Sequence, residues 1–222
     1  MGLFSFTSYG PGRGVRKDER KLKRPFLFFY YLLFNFFKII KLSMLFLFTS
    51  IPVVTIGPSI CGLTYISQCF TEDHPVFLMS DYFEHFKKNF FKSILAFFLT
   101  LIPVFSFFVV YINIKAVPHF SYFIMPLLLV NLIVLMMSFY IYPLLVFYDI
   151  PFFAVLKNSF IFALIKLPLN LFVAFVVVLI IAASFGFIPE IGWVLTPFFL
   201  TAFINYFTTF AVWPTIKKNM ER

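Results

Sequence analysis

The sequence predicts an all-α membrane protein, on the evidence of its composition, the length of its apolar runs and the placement of its basic residues. Of the 222 residues, 62% are hydrophobic and 12% are charged, and a soluble domain of this size could not cover so much apolar surface. Several apolar runs approach the roughly 20 residues that cross a bilayer as a helix. The bilayer core offers backbone N–H and C=O groups no hydrogen-bond partners, so a spanning segment must pair them internally. The runs also lack the alternation of apolar and polar residues that barrel strands show, so we expect helices.

We divide the chain into a cytoplasmic Gly/Pro/basic arm, residues 1–24, and a single helical transmembrane domain, residues 25–222. The glycines and the proline between Tyr9 and Val15 oppose helix formation in the arm. The basic cluster Arg20 to Arg24 would be drawn to anionic lipid by about 1 kcal/mol per basic residue. The arm has no apolar core ahead of a cleavage site, so we expect no cleavable signal peptide.

The first apolar stretch is divided by two lysines. Phe26–Phe37 is apolar on every side, Lys38 and Lys41 follow, and Leu42–Ile56 is apolar again. A lysine at the bilayer centre costs about 2.5–3.5 kcal/mol, so we place the lysines at an interface and Phe26–Phe37 near the membrane surface. The alternative is one long helix with both lysines facing the bundle interior.

The next segment, from Gly57-Pro58 to Thr71, is short. At 1.5 Å per residue it measures about 22 Å. It either crosses a thinned bilayer or returns as half of a re-entrant hairpin. In both cases the chain comes back to the side on which it began.

Met79–Lys92 has the pattern of an amphipathic helix that lies on the membrane. Its apolar face consists of Met79, Tyr82, Phe83, Phe86 and Phe90. Its opposite, solvated face consists of Asp81, Glu84, His85, Lys88 and Lys92.

Four further spans follow, with a second surface helix, Phe152–Lys166, among them. Pro126 and Pro143 are expected to kink the span that contains them. The residues from Lys217 form a polar tail. The spans are Ile94–Ile114, Phe120–Phe147, Leu167–Phe187 and Trp193–Trp213.

The basic residues indicate the topology. With six passages and both termini cytoplasmic, 17 of the 18 Lys and Arg residues lie inside and only Lys115 lies outside. With five passages, ten lie inside and eight outside. The excess of basic residues on cytoplasmic segments favours six passages, the first hairpin being short or re-entrant.

A weak internal repeat agrees with this topology. Asn35-Phe-Phe-Lys38 and Asn89-Phe-Phe-Lys92 each precede a span, and Asn158-Ser-Phe160 occupies a similar place before Lys166. The pattern suggests three units, each made of a surface helix and a hairpin.

The sequence contains none of the common catalytic motifs: no nucleophile elbow, no His-Glu-x-x-His and no phosphate loop. Cys61 and Cys69 lack the spacing of a zinc site and are expected to be buried free thiols. We therefore predict neither enzyme activity, nor a cofactor, nor nucleic-acid binding. Hydrogen bonds between helices would account for the polar residues inside the spans, which are Ser106, Asn131, Ser138, Ser184, Thr201, Asn205, Thr208 and Thr209.

The chain resembles the YesL-like family of small bacterial membrane proteins over most of its length. The arm of that family usually reads Pro-Gly-Pro-Gly-Val before Lys-Asp-Glu, and Arg13-Gly14 alters this reading here. The residues that carry the resemblance are Tyr9-Gly-Pro-Gly-Arg-Gly-Val-Arg-Lys-Asp-Glu19, Ile51-Pro52, Thr55-Ile-Gly-Pro-Ser59, Ser80-Asp-Tyr-Phe83 and Phe86-Lys-Lys-Asn-Phe90.

The resemblance implies a non-enzymatic accessory membrane subunit of a carbohydrate ABC importer in the bacterial plasma membrane, bound to permease subunits and surrounded by membrane lipids. The alternative is a small stand-alone channel or transporter, which should show a polar cavity at mid-membrane. An accessory subunit should show an apolar lateral surface and structured cytoplasmic elements. The candidate docking residues are Tyr9, Gly10, Pro11, Gly12, Gly14, Val15, Lys17, Asp18, Gly57, Pro58, Asp81, Phe83, Phe86, Lys88 and Asn89.

Overall fold

The computed structural model describes residues 24–113, 124–186, 192–193 and 195–220, and its regular structure in these ranges is helical. A 3-10 turn, Val53–Thr55, precedes α3, and a π-helical segment, Thr196–Leu200, leads into α10. The helices are α1 Arg24–Phe34, α2 Phe36–Thr49, α3 Ile56–Thr71, α4 Leu78–Lys88, α5 Phe90–Thr100, α6 Ile102–Asn113, α7 Ile124–Phe147, α8 Phe152–Ile165, α9 Leu167–Gly186 and α10 Thr201–Met220.

Four helical segments are long and apolar enough to cross a membrane: Val53–Thr71, Ile124–Phe147, Leu167–Gly186 and Thr196–Met220. Helices α1 and α2 would make a fifth passage if the two are taken as one broken span. Large apolar side chains are exposed along α1, α5, α6 and α9, as lipid-facing helices require. The predicted all-α, multi-pass membrane character is therefore confirmed.

The chain bends by 70° between α1 and α2, so the alternative of one long helix is wrong. The break lies at Asn35, whose Nδ2 donates to the Tyr31 carbonyl at 3.1 Å, so Phe26–Phe37 is divided between α1 and α2. Both lysines belong to α2, and Lys38 Nζ lies 5.7 Å from the ring centroid of Phe34 and 5.8 Å from that of Phe70.

Three other predicted boundaries need correction. The amphipathic helix ends at Lys88 rather than Lys92, because a second break falls at Asn89. The span predicted from Ile94 consists of α5 and α6, which are interrupted at Leu101, shortly before Pro103, which has no N–H for the helical ladder. The predicted polar tail at Lys217 is helical, because α10 continues to Met220.

The helices are arranged as three similar units around a core of three inner helices. The inner helices α3, α7 and α10 pack against one another. An outer helix lies between each pair: α2 between α3 and α10, α5 between α3 and α7, and α9 between α7 and α10. A short helix precedes each outer helix and crosses an inner one, α4 on α3 and α8 on α7, while α1 meets α10 through the Phe28 ring.

The three breaks between short and outer helices share a backbone hydrogen bond and a pattern of burial. The amide four residues after the break donates to the break residue at 2.9 Å in each unit, from Ile39 to Asn35, from Ser93 to Asn89 and from Asn170 to Lys166. The residues four, seven and eight positions after each break are buried. Lys166 therefore takes the place of the two asparagines, and the predicted match at Asn158 was out of register.

Candidate functional site

Helix α3 and the helices that cross it contain the candidate docking residues that the structure describes. Gly57 and Pro58 are buried in the first turn of α3. A β-carbon on Gly57 would overlap the Ser93 carbonyl oxygen, and one on Gly62 would lie 2.8 Å from the Tyr82 carbonyl oxygen. These glycines allow α3 to approach α4 and α5 closely, so Gly57 and Pro58 contribute to packing rather than to an exposed surface.

The turn between α2 and α3 is held by a network of hydroxyl groups. Thr49 Oγ1 lies 2.7 Å from the Tyr82 hydroxyl and accepts a hydrogen bond from Ser59 Oγ at 2.9 Å. Ser59 also lies 2.7 Å from the Thr55 carbonyl oxygen, and Thr55 Oγ1 lies 2.6 Å from the Thr49 carbonyl oxygen. Irregular backbone in an apolar environment needs such internal partners, and this network supplies them at the turn between α2 and α3.

The inner face of α4 anchors that helix to α3. Tyr82 is fully buried, and burial raises its pKa to about 12. The His85 ring stacks on Tyr65 at a centroid distance of 3.7 Å, and Asn89 is buried at the end of the helix. Burial also lowers the pKa of His85, so its predicted place on the solvated face was wrong.

The outer face of α4 carries the exposed members of the predicted docking set. Phe83 and Lys88 are exposed, whereas Phe86 is half-buried and packs near Tyr82. Asp81 accepts the Phe77 N–H at 2.9 Å and so caps the start of the helix. A shallow groove of about 440 Å³ on this face is lined by Met79, Ser80, Phe83, Glu84 and Lys87.

The remaining predicted docking residues lie outside the described ranges. They are the arm residues Tyr9, Gly10, Pro11, Gly12, Gly14, Val15, Lys17 and Asp18.

A glutamate that the sequence analysis did not single out joins the ends of α3 and α10. Glu72 Oε1 accepts hydrogen bonds from Trp213 Nε1 and Lys217 Nζ, both at 3.0 Å, and Oε2 lies 3.5 Å from His74 Nε2. Burial alone would raise the pKa of Glu72, but the bonds from Lys217 and Trp213 and the charges of Lys217 and His74 hold it below its usual value. A similar contact joins Lys92 to Asp149 at 3.5 Å.

A cavity of about 270 Å³, here called the inter-helix cavity, lies among α2, α3, α7, α9 and α10. Asn205 Nδ2 donates to Thr64 Oγ1 across it at 3.1 Å. Thr64 is absent from the predicted polar set, although the sequence offered a signal for it, a hydroxyl group within the short apolar segment after Gly57-Pro58. The polar residues that line the cavity are Thr64, Ser138, Tyr142, Thr201, Asn205, Thr208 and Thr209.

The predicted hydrogen bonds between helices are present for some of the polar residues. Asn131 and Ser106 bond each other between α6 and α7 at 2.7–2.9 Å, and Asn205 bonds Thr64. Ser138, Ser184 and Thr208 instead donate to carbonyls of their own helices, so the prediction was wrong for these three.

The described residues contain no group of three or more His, Cys, Asp or Glu side chains that could hold a metal ion. Cys61 and Cys69 are buried and free, as predicted.

A family described as "Protein of unknown function, DUF624" matches residues 30–114. No curated protein and no solved structure matches the chain. The matched region covers less than half of the chain and runs from within α1 to the end of α6. It includes the α2–α3 turn and α4, which also carry much of the YesL-like resemblance.

Proposed function

We propose that the protein is a non-enzymatic accessory membrane subunit that binds the permease core of a carbohydrate ABC importer in the bacterial plasma membrane. The carbohydrate and importer parts of the proposal rest on the YesL-like resemblance. The observation that carries the docking part is the outer face of α4. That face combines exposed apolar and charged side chains on a helix whose inner face is fixed to α3.

The composition of this face fits a protein partner at a membrane surface. Phe83 offers apolar contact area, while Glu84, Lys87 and Lys88 offer charges of both signs within two helical turns. Aromatic anchors supply contact area, and rim charges set specificity and register. Because Tyr82 and His85 already hold α4 in place, docking there would order few additional side chains.

The proposal includes six passages with both termini in the cytoplasm. The distribution of 17 of 18 basic residues supports this arrangement, as does the segment formed by α5, Leu101 and α6, which is as long as α7. In this topology α4 lies on the cytoplasmic side of the membrane, which is also the side predicted for the arm. Both docking elements would then meet the permease from the same side.

Co-purification from native membranes tests the proposal. We expect Phe83→Asp, or deletion of residues 2–18, to reduce the recovery of permease subunits at least tenfold while membrane insertion stays unchanged. Phe153→Asp is the matched control, because Phe153 is exposed on α8, away from α4. Full recovery of permease with both α4 and arm variants would contradict the proposal.

A second candidate function, a small stand-alone channel or transporter for uncharged solutes, is favoured by the inter-helix cavity. Its polar lining is the feature expected of such a protein. Reconstitution of the pure chain into liposomes separates the two candidates. Solute flux by a homo-oligomer free of permease would favour the second candidate.

A further inference from the structure

The inter-helix cavity has a lining that indicates an uncharged ligand. Of the described residues that border it, none carries a charge at neutral pH. An ion entering it would lose its hydration without gaining a partner of opposite charge, which is costly at membrane depth. The cavity therefore favours a neutral molecule.

Three of the hydroxyl groups that line the cavity can act towards a ligand only as acceptors. Ser138 Oγ, Thr201 Oγ1 and Thr208 Oγ1 donate their protons to backbone carbonyls at 2.6, 2.8 and 3.0 Å. A hydroxyl that donates in this way keeps its oxygen lone pairs for another donor. The complementary ligand group is therefore a neutral donor, such as one or more hydroxyl groups.

The rest of the lining is apolar. Side chains such as Phe46, Leu63, Phe139 and Val177 form more of the wall than the polar groups do. The cavity volume of about 270 Å³ is the volume that about nine water molecules occupy in liquid water. This volume accommodates a small hydroxylated head together with only the first part of an apolar chain, whose remainder would extend into the bilayer.

We propose that the inter-helix cavity binds the hydroxylated, uncharged head of a bilayer amphiphile of the monoacylglycerol type. The head hydroxyls donate to the cavity oxygens of Ser138, Thr201 and Thr208, and the acyl chain contacts the apolar wall. The ligand enters from the membrane rather than from water. This inference is independent of permease binding.

Native mass spectrometry of the full chain in neutral detergent tests the ligand class, with three added amphiphiles and glycerol. We expect monooleoylglycerol to form a saturable one-to-one complex. Methyl oleate lacks the hydroxyl donors and oleate carries a charge, so each should bind at least tenfold more weakly. A hundredfold excess of free glycerol should not displace monooleoylglycerol. Equal binding of methyl oleate, or displacement by glycerol, would overturn the proposal.

Substitutions locate the site. Asn205→Leu keeps the branched shape of the side chain and removes the amide that lines the cavity, so it should weaken monooleoylglycerol binding at least tenfold. Asn219→Leu is the matched control, because Asn219 lies on the same helix and bonds its own Thr215 carbonyl instead. Thr208→Val keeps the side-chain volume and removes one hydrogen-bond acceptor from the cavity. It therefore tests the location of the site even if Asn205→Leu does not fold. Wild-type binding by Thr208→Val and by any folded Asn205→Leu would place the ligand elsewhere.

Discussion

Two glycines of α3 stand where neighbouring backbone leaves no room for a β-carbon. Gly57 meets the Ser93 carbonyl and Gly62 meets the Tyr82 carbonyl, whereas nothing lies within 4 Å of a β-carbon built on Gly186. A backbone carbonyl cannot move aside as the end of a flexible side chain can. An added methyl group should therefore cost much more stability at Gly57 and Gly62 than at Gly186.

We expect Gly57→Ala and Gly62→Ala each to lower stability by about 1–3 kcal/mol, the range for overpacking a well-filled interior. Gly186→Ala is the matched control and should be neutral, because its added methyl group meets open space. Heating the detergent-purified variants and measuring the remaining monodisperse protein checks this. Equal melting temperatures for all three variants would mean that α3 does not approach its neighbours as described.

Glu72 gives the protein a predictable pH dependence. Because its pKa is lowered in the folded state, its contribution to stability is complete above the ordinary value of 4.5 and is lost as the pH falls through the folded value. We expect Glu72→Gln to cost about 1 kcal/mol at pH 7, and the difference from wild type to shrink below pH 4.5. Glu84→Gln, at an exposed position, is the control. Thermal melting between pH 4 and 7 measures both, and a difference that grows towards pH 4 would contradict the assignment.

His85 shows where residue-level prediction failed. Helical periodicity alone put it opposite Tyr82, on a face with four charged residues. The crossing of α4 over α3 brings Tyr65 under the imidazole, and that crossing depends on Gly62 and on contacts between residues distant in sequence. Thr64 and Glu72 were missed for the same reason, because their partners Asn205 and Trp213 are each 141 residues away.

At the scale of helices, the sequence predicted which segments are helical and misplaced their junctions. Apolar runs of the right length identified α7 and α9 closely. The junction at Asn89 follows the charged residues of α4, whereas the junctions at Asn35 and Lys166 are single polar residues within apolar runs. Their position depends on which residues meet an inner helix, and only the packed structure shows this.

The two faces of α4 should respond differently to a new charge. Phe86 packs against Tyr82 on the inner side, so Phe86→Asp should cost more than about 3 kcal/mol and reduce the yield of folded protein in the membrane. Glu84→Ala changes an exposed side chain and should leave the yield of folded protein almost unchanged. Fluorescence-detected size exclusion of tagged variants measures the yield. Greater damage from Glu84→Ala would indicate that Glu84 has a specific partner.

For the whole molecule, the distribution of basic residues predicts the sidedness of each loop. In a variant with Cys61→Ala and Cys69→Ala, we expect single cysteines at Lys115 and Glu190 to react with an impermeant maleimide from outside intact cells. Cysteines at Lys88, Lys157 and Lys218 should react only after lysis. The physical reason is the retention of basic segments in the cytoplasm. External labelling at Lys88 would rule out the six-passage arrangement.

The threefold arrangement of units was only partly visible in the sequence. The similar stretches after Asn35 and Asn89 revealed two units, and the third was placed by its Asn158 rather than by Lys166. The stretch that begins at Lys166 does not repeat the Asn-Phe-Phe-Lys sequence of the other two units, so a sequence comparison does not align it with them. Lys166 and the two asparagines occupy equivalent positions because each ends a short helix four residues before a buried position of an outer helix.

The packing of α1 against α10 has a consequence for biosynthesis. The Tyr206 hydroxyl donates to the Phe28 carbonyl at 3.2 Å, across 178 residues of chain, and the Phe28 ring meets four aromatic rings of α10. On the ribosome, α1 is therefore made well before the surface that receives it. Until α10 is released, the nascent chain can pack α1 against α3 but not against the aromatic surface of α10. We therefore expect the contact between α1 and α10 to form late in assembly, and chains stalled before α10 to expose the aromatic residues of α1 to membrane proteases.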